Sequence, residues 1–192
     1  MKKIILIGGG SHCKSAIDVI EQEGKFKIMG IIDNAELPGS KVLGYSVIGS
    51  DSSLKTFSKK YDYALITVGQ IKSPLIRMKL FSLAKEAGFS FPTVISPYAY
   101  VSKHSIINAG TIVMHNAIVN ANVSIGENCI INTKALVEHD CLIYKHCHIS
   151  TNAIINGGVT IQEGSFIGSN STIKQLVKIK KRSFIKAGCI VT

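Results

Sequence analysis

From Val101 to Val191 an aliphatic residue returns at every sixth position, through Ile107, Val113, Val119 and on to Ile179 and Ile185, without a single failure. Residues 101–190 divide into fifteen hexads, and the fifth place of each is small or Val, as in Ser105, Thr111, Ala117, Val123 and Cys129. A period of six fits neither the 3.6 of a helix nor the 2 of a half-buried strand. It fits a solenoid whose short flat faces each bury one aliphatic and one small side chain. Three faces close a triangular coil, so residues eighteen apart stack at roughly ~4.8 Å and the hexads give about five coils of parallel β-helix. Each coil then covers the open edge of the next.

The remaining half reads as a different class. An apolar run at residues 4–7, the glycines Gly8, Gly9 and Gly10, Ser11 as a candidate helix cap, an amphipathic stretch through Ile20 and a second strand at 27–32 make a βαβ unit. A third strand is expected at 63–68. Ser73-Pro74, the periodic Leu75, Met78 and Leu83, and then Gly88 stand in helix order. The expected architecture is an α/β Rossmann-like domain at 1–96 followed by an all-β parallel β-helix at 97–192.

A net charge of +10 predicts attraction to anions, with nucleic acid, anionic lipid and phosphorylated small molecules as the classes to choose among. Much of the excess sits in Lys174, Lys178, Lys180, Lys181, Arg182 and Lys186, either as a solvated face or as a seat for coenzyme A phosphates. The apolar run near Met1 is too short for a signal-peptide core or a membrane span, so a cytoplasmic protein is expected. Five cysteines without a paired C-x-x-C pattern fit a reducing compartment, with no disulfide and no zinc cluster expected. Four of the five fall in the small-residue stripe.

Chemistry-bearing residues follow from register. A glycine-rich turn between strand and helix aims N–H groups at a phosphate, so Gly8 to Ser11 are candidates for a pyrophosphate. The dinucleotide fingerprint is broken by Cys13, which stands where its third glycine belongs. Asp33 ends the second strand, where an acid meets a ribose or base or simply makes a turn. His139 occupies the third place of its hexad, away from both buried stripes, and is the candidate general base. One coil further, Gly157 leaves bare backbone above it and a candidate oxyanion donor. Glu138 and Asp140 flank the histidine, and either is able to orient the ring. His148 breaks an apolar sixth-place series, which marks it for a ligand, an interface or packing, whereas His104, His115 and His146 read as surface residues.

The hexad, with its glycine-tolerant second place, resembles the repeat of the left-handed β-helix acyltransferases. The whole chain resembles the PglD/NeuD family of bacterial sugar acetyltransferases, and Asn132-Thr133, the run Val137-Glu138-His139-Asp140-Cys141 and His148 carry the likeness. That resemblance implies a left-handed helix, a homotrimer with intersubunit active sites, and acetyl-CoA as co-substrate without a metal. It further implies N-acetylation of a UDP-4-amino-4,6-dideoxy sugar for glycan or nonulosonic acid building blocks. His139 is then the base, Asp140 its orienting acid, and His148, Gly157, Ser169 and Ala187 acetyl-CoA contacts. Gly10, Ser11, His12, Asp33, Asn34 and Gly69 fall on sugar-nucleotide contacts. Here Gly and Ser are exchanged in the turn, and Asn34 stands in place of a second acid. The sequence stops at Thr192, ahead of the Gly-Val-Pro-Ala segment that usually closes the last coil. O-acetylation of a sialic-acid-like sugar, a γ-carbonic-anhydrase-like metalloenzyme and a non-catalytic binding module remain as alternatives. No nucleic acid or membrane partner is expected.

Overall fold

The structure, a computed structural model, describes residues 1–35 and 37–192 and divides into two compact units. One holds Met1–Gly69 and Leu75–Pro92, the other Gln70–Pro74 and Thr93–Thr192. The second unit begins at Thr93 rather than 97, because Val94–Ile95 already pairs in parallel with Ile112–Val113.

In the first unit β1 (Lys2–Ile7), β2 (Phe26–Ile32) and β5 (Tyr63–Ile66) are parallel neighbours. The sheet order is β3-β4-β2-β1-β5, with β3 (Lys41–Val42) and β4 (Tyr45–Gly49) forming an antiparallel hairpin that the sequence reading did not anticipate. Helix α1 (Ser11–Glu23) buries Cys13, Ala16, Ile17 and Ile20 and stops at Gly24, whose φ of 68° suits a left-handed cap. Ser11 is the first helical residue and Gly10 takes the cap position, so Ser11 is not the cap. A short helix α2 (Leu54–Phe57) precedes β5, and α3 (Leu75–Ala87) follows it. In α3 the buried face is Arg77, Leu80, Phe81 and Ala84, not the Leu75, Met78, Leu83 series. Arg77 is buried because its Nη1 donates to the Ile66 and Val68 carbonyls at 2.9 and 2.6 Å, closing the end of β5.

The second unit is a parallel β-helix of two-residue strands, β6 (Val94–Ile95) to β22 (Ile190–Val191), stacked in three sheets of six, five and six. Pairing runs strictly eighteen residues apart, as in Ile112↔Ile130↔His148. First-place side chains from Val113 to Ile173 are at most 1% exposed, and each such burial stabilises by roughly 1.5–3 kcal/mol. At the fourth place every residue from Gly110 to Gly188 has a positive φ, between 53° and 72°. A Cβ opposes that conformation least in Asn and Asp and glycine avoids it altogether, which explains Asn116, Asn122, Asn128, Asn152, Asn170 and Gly158. Asp140 is one of these fourth-place residues, with φ 62°.

Candidate active site

His139 sits at the corner linking β13 (Leu136–Val137) to β14 (Leu142–Ile143), with its side chain 59% exposed. Its Nδ1 lies 2.7 Å from Asp140 Oδ2, which fixes the tautomer: Nδ1–H donates to the carboxylate and Nε2 keeps its lone pair. Asn122, one coil earlier, donates through Nδ2 to Asp140 Oδ1 at 2.7 Å. Glu138, the other flanking acid, accepts instead from Asn120 Nδ2 at 2.8 Å. The hydrogen bond to Asp140 raises the His139 pKa above the ordinary imidazole value. Asp140 is held below the usual carboxylate range by Asn122 first and by His139 second. Asn120 and Asn122 escaped the sequence reading, yet the eighteen-residue register was the signal that finds them.

Gly157 stacks on His139 as the register predicts, and the next residue pins the pair, Gly158 N–H donating to the His139 carbonyl at 2.9 Å. Among the described residues the Gly157 N–H donates to no other group. His148 in β15 (His148–Ile149) is buried, its Nδ1 donating to the Gln70 carbonyl at 2.5 Å and its Nε2 accepting from Asn132 Nδ2 at 3.0 Å. Both ring nitrogens are thus engaged, and the ring orients the Asn132 amide while its edge meets Phe166 at 5.2 Å. Ser169 exchanges a 2.9 Å hydrogen bond with Ser150, and Ala187 is exposed. These two occupy a different corner from His139, after β18 (Phe166–Ile167) and β21 (Phe184–Ile185), so one chain does not unite all the expected residues.

His146 departs from its expected surface role: it is buried in a fourth-place turn, with Nδ1 3.0 Å from Asn128 Nδ2. His115 is half-buried against Ser96 Oγ at 2.6 Å, and His104 is exposed. His139, His146 and His148 lie on two different corners and a strand, not around one point.

In the α/β unit Asp33 Oδ2 accepts the Gly9 N–H at 2.6 Å, tying the end of β2 to the glycine turn. Gly8, at φ 109°, admits no side chain, since a Cβ would fall 2.9 Å from the Val68 nitrogen. Gly69 lies beside His12, where an added Cβ would be 3.4 Å from the His12 Cβ. Gly9, Gly10, Ser11, Lys14 and Lys41 line a hollow of about 370 Å³, a setting of amides and cations suited to phosphate. Asp33 and Asn34 line a second one of about 370 Å³ with Asp51 and Lys79, which the sequence reading passed over.

Comparison with known proteins bears on this arrangement. The family model for the PglD N-terminal domain matches residues 3–82, and that for the GlmU-like, C-terminal hexapeptide matches residues 93–176. A perosamine N-acetyltransferase from Caulobacter crescentus, solved as a histidine-to-asparagine mutant with CoA and GDP-perosamine, is 30% identical. The match covers 100% of this chain and 89% of that one, with a TM-score of 0.93. The acetyltransferase domain of PglB from Neisseria gonorrhoeae, in complex with acetyl coenzyme A, is 31% identical over 99% of this chain and 92% of that one, with a TM-score of 0.90. Among curated protein sequences none is a significant match. Both domains, the repeat and the full-length likeness agree: the chain belongs to the PglD/NeuD-like family of hexapeptide-repeat sugar acetyltransferases, acetyl-CoA-dependent acyltransferases built on a left-handed β-helix.

Proposed function

We propose that the protein N-acetylates the 4-amino group of a UDP-4-amino-4,6-dideoxy sugar in the cytoplasm, for bacterial glycan or nonulosonic acid assembly. The observation that carries the chemistry is the His139–Asp140 pair, an outward-facing base with its tautomer fixed and its Nε2 free to take a proton. The sugar amine attacks the thioester carbonyl, and His139 Nε2 takes the amine proton. Asp140 stabilises the resulting imidazolium, and the Gly157 N–H, which donates to no group among the described residues, stabilises the oxyanion. Collapse of the tetrahedral intermediate breaks the carbon–sulfur bond, and the imidazolium returns the proton to the departing thiolate. The α/β unit holds the nucleotide through Gly10, Ser11, His12, Asp33, Asn34 and Gly69.

The working form is a homotrimer in this reading. His139 and the Ser169/Ala187 pair lie along different edges of the solenoid, and the outward face that joins those edges carries Tyr100, Ile118 and Ile190 at 59%, 40% and 77% exposure. Packing that apolar face on a neighbour covers it and sets one chain's base beside another chain's cofactor corner. The cationic residues around Lys180 and Arg182 are then available to coenzyme A phosphates.

The Caulobacter relative, solved with GDP-perosamine, favours a GDP-linked amino sugar as the second reading. Release of coenzyme A thiol from acetyl-CoA, measured with UDP-4-amino-4,6-dideoxy-N-acetylglucosamine and with GDP-perosamine, decides between the two. Turnover with the UDP sugar that falls at least ~10²-fold in His139→Ala supports the proposal. Turnover with the GDP sugar alone moves the assignment to the second reading, and none with either refutes both.

A further inference from the structure

The cleft that contains Asp33 has an apolar lining of Ile7, Ile32, Val68 and Leu80, a surface on which a flat heterocycle packs. Its polar groups divide sharply by what they already bind. Asp33 is committed to backbone: Oδ2 accepts the Gly9 N–H at 2.6 Å and Oδ1 the Ala35 N–H at 2.7 Å. Asn34 is committed to Asp51, donating through Nδ2 to Oδ2 at 2.6 Å and accepting the Asp51 N–H on its Oδ1 at 3.0 Å. Among the described residues, Asp51 Oδ1, the second Asn34 amide hydrogen and the Lys79 ammonium keep open capacity in this cleft. The result is one acceptor accompanied by two donors.

We propose that Asp51 is the residue that selects the nucleobase, accepting the N–H at the centre of the pairing edge of uracil or guanine. Asn34 and Lys79 donate to the adjoining carbonyl oxygens, two in uracil and one in guanine, whose neighbouring amine donates to the same carboxylate. Cytosine and adenine present a ring-nitrogen lone pair at that place, which faces the carboxylate and leaves both groups without a hydrogen bond. Asn34, which on its own lacks the charge of an acid, thereby positions an acid drawn from the turn after β4. The proposal rests on the reading that a nucleotide-linked sugar is the substrate, and it adds the residue that sorts the bases.

Equilibrium binding of UDP, CDP, GDP and ADP to the full chain tests it, since each ring size contains one base with the N–H and one without. UDP is expected to bind more tightly than CDP, and GDP than ADP, by at least ~10-fold. Whichever of UDP and GDP binds more tightly gives the ring size. In Asp51→Asn, which keeps the side-chain volume, both ratios are expected to fall to within about threefold of one. Equal binding of the four by the wild type, or ratios unchanged in Asp51→Asn, overturns the proposal, and the wild-type comparison decides even if the variant fails to fold. Equal binding accompanied by acetyl transfer leaves the functional reading standing and removes only Asp51. Absence of binding by all four, with no transfer to either nucleotide sugar, removes both.

Discussion

A Cβ placed on Gly157 would lie 2.8 Å from Cε1 and 2.9 Å from Nε2 of His139. The three nearest atoms it would meet all belong to the imidazole, and Gly157 carries none of the positive φ values that make glycine obligatory elsewhere. The glycine is therefore required by the ring and not by the turn. In Gly157→Ala the exposed ring moves aside at little cost, so stability changes by no more than about 0.5–1 kcal/mol while the base leaves its position. Acetyl transfer is expected to drop about 10–100-fold with an almost unchanged melting temperature. Loss of activity and folding together would instead make Gly157 a backbone requirement.

The pH profile reports the same histidine. In the proposed mechanism His139 works as a base when neutral, and its hydrogen bond to Asp140 raises its pKa above the ordinary imidazole value. kcat/KM is therefore expected to rise with pH through a midpoint above about 6.5. Asp140→Asn removes the charge that favours the imidazolium, so the midpoint moves to lower pH and the plateau falls by about 10-fold or more. A midpoint that stays in place in Asp140→Asn would assign the ionisation to another group.

In the same mechanism Asn122 acts on His139 at one remove. It donates to Asp140 Oδ1 at 2.7 Å and is the first cause of that carboxyl's lowered pKa. In Asn122→Ala the carboxyl loses a donor, its pKa rises towards the ordinary range, and its hold on the His139 ring loosens. The expected outcome is a several-fold loss in kcat with KM for acetyl-CoA unchanged, and an acid-side midpoint that moves to lower pH, in the same direction as in Asp140→Asn but by less. Asn122→Asp, which replaces the donor with a second carboxylate, is expected to be worse than Ala.

The hexad made the β-helix legible because one interval serves both burial and pairing: Val137 is buried by its place in the series and pairs with Val119 and Ile155 by the same count. That register also placed Gly157 against His139 without any structure. The fourth place was equally regular, but its cause is backbone conformation, and Lys134, Leu176 and Arg182 accept a positive φ alongside the asparagines. His146 was misjudged for that reason, since a turn residue stacked on Asn128 is buried by neighbours eighteen residues away. In the α/β half the hairpin β3–β4 has strands too short for a periodic signal, and Arg77 hides within an apolar helix face because its partners are carbonyls of β5 and the residues after it. Asp51 was invisible because what identifies it is a contact with Asn34, not a motif.

The outward face formed by β7 (Tyr100–Val101), β10 (Ile118–Val119), β13, β16 (Ile154–Ile155), β19 (Thr172–Ile173) and β22 tests the trimer directly. Its sixth-place residues point away from the solenoid core, so a charge at Ile118 or Ile154 leaves the buried stripes untouched and costs the isolated chain little. In an assembled trimer the same charge has to be desolvated against an apolar neighbour, at about 2 kcal/mol or more for each copy. Ile118→Asp combined with Ile154→Asp is therefore expected to shift the scattering mass from three chains to one, with the melting transition of the β-helix retained. Acetyl transfer is expected to vanish with the mass, because His139 and the Ser169/Ala187 corner then have no neighbour to complete them. A monomeric variant that still turns over would place the whole site within a single chain.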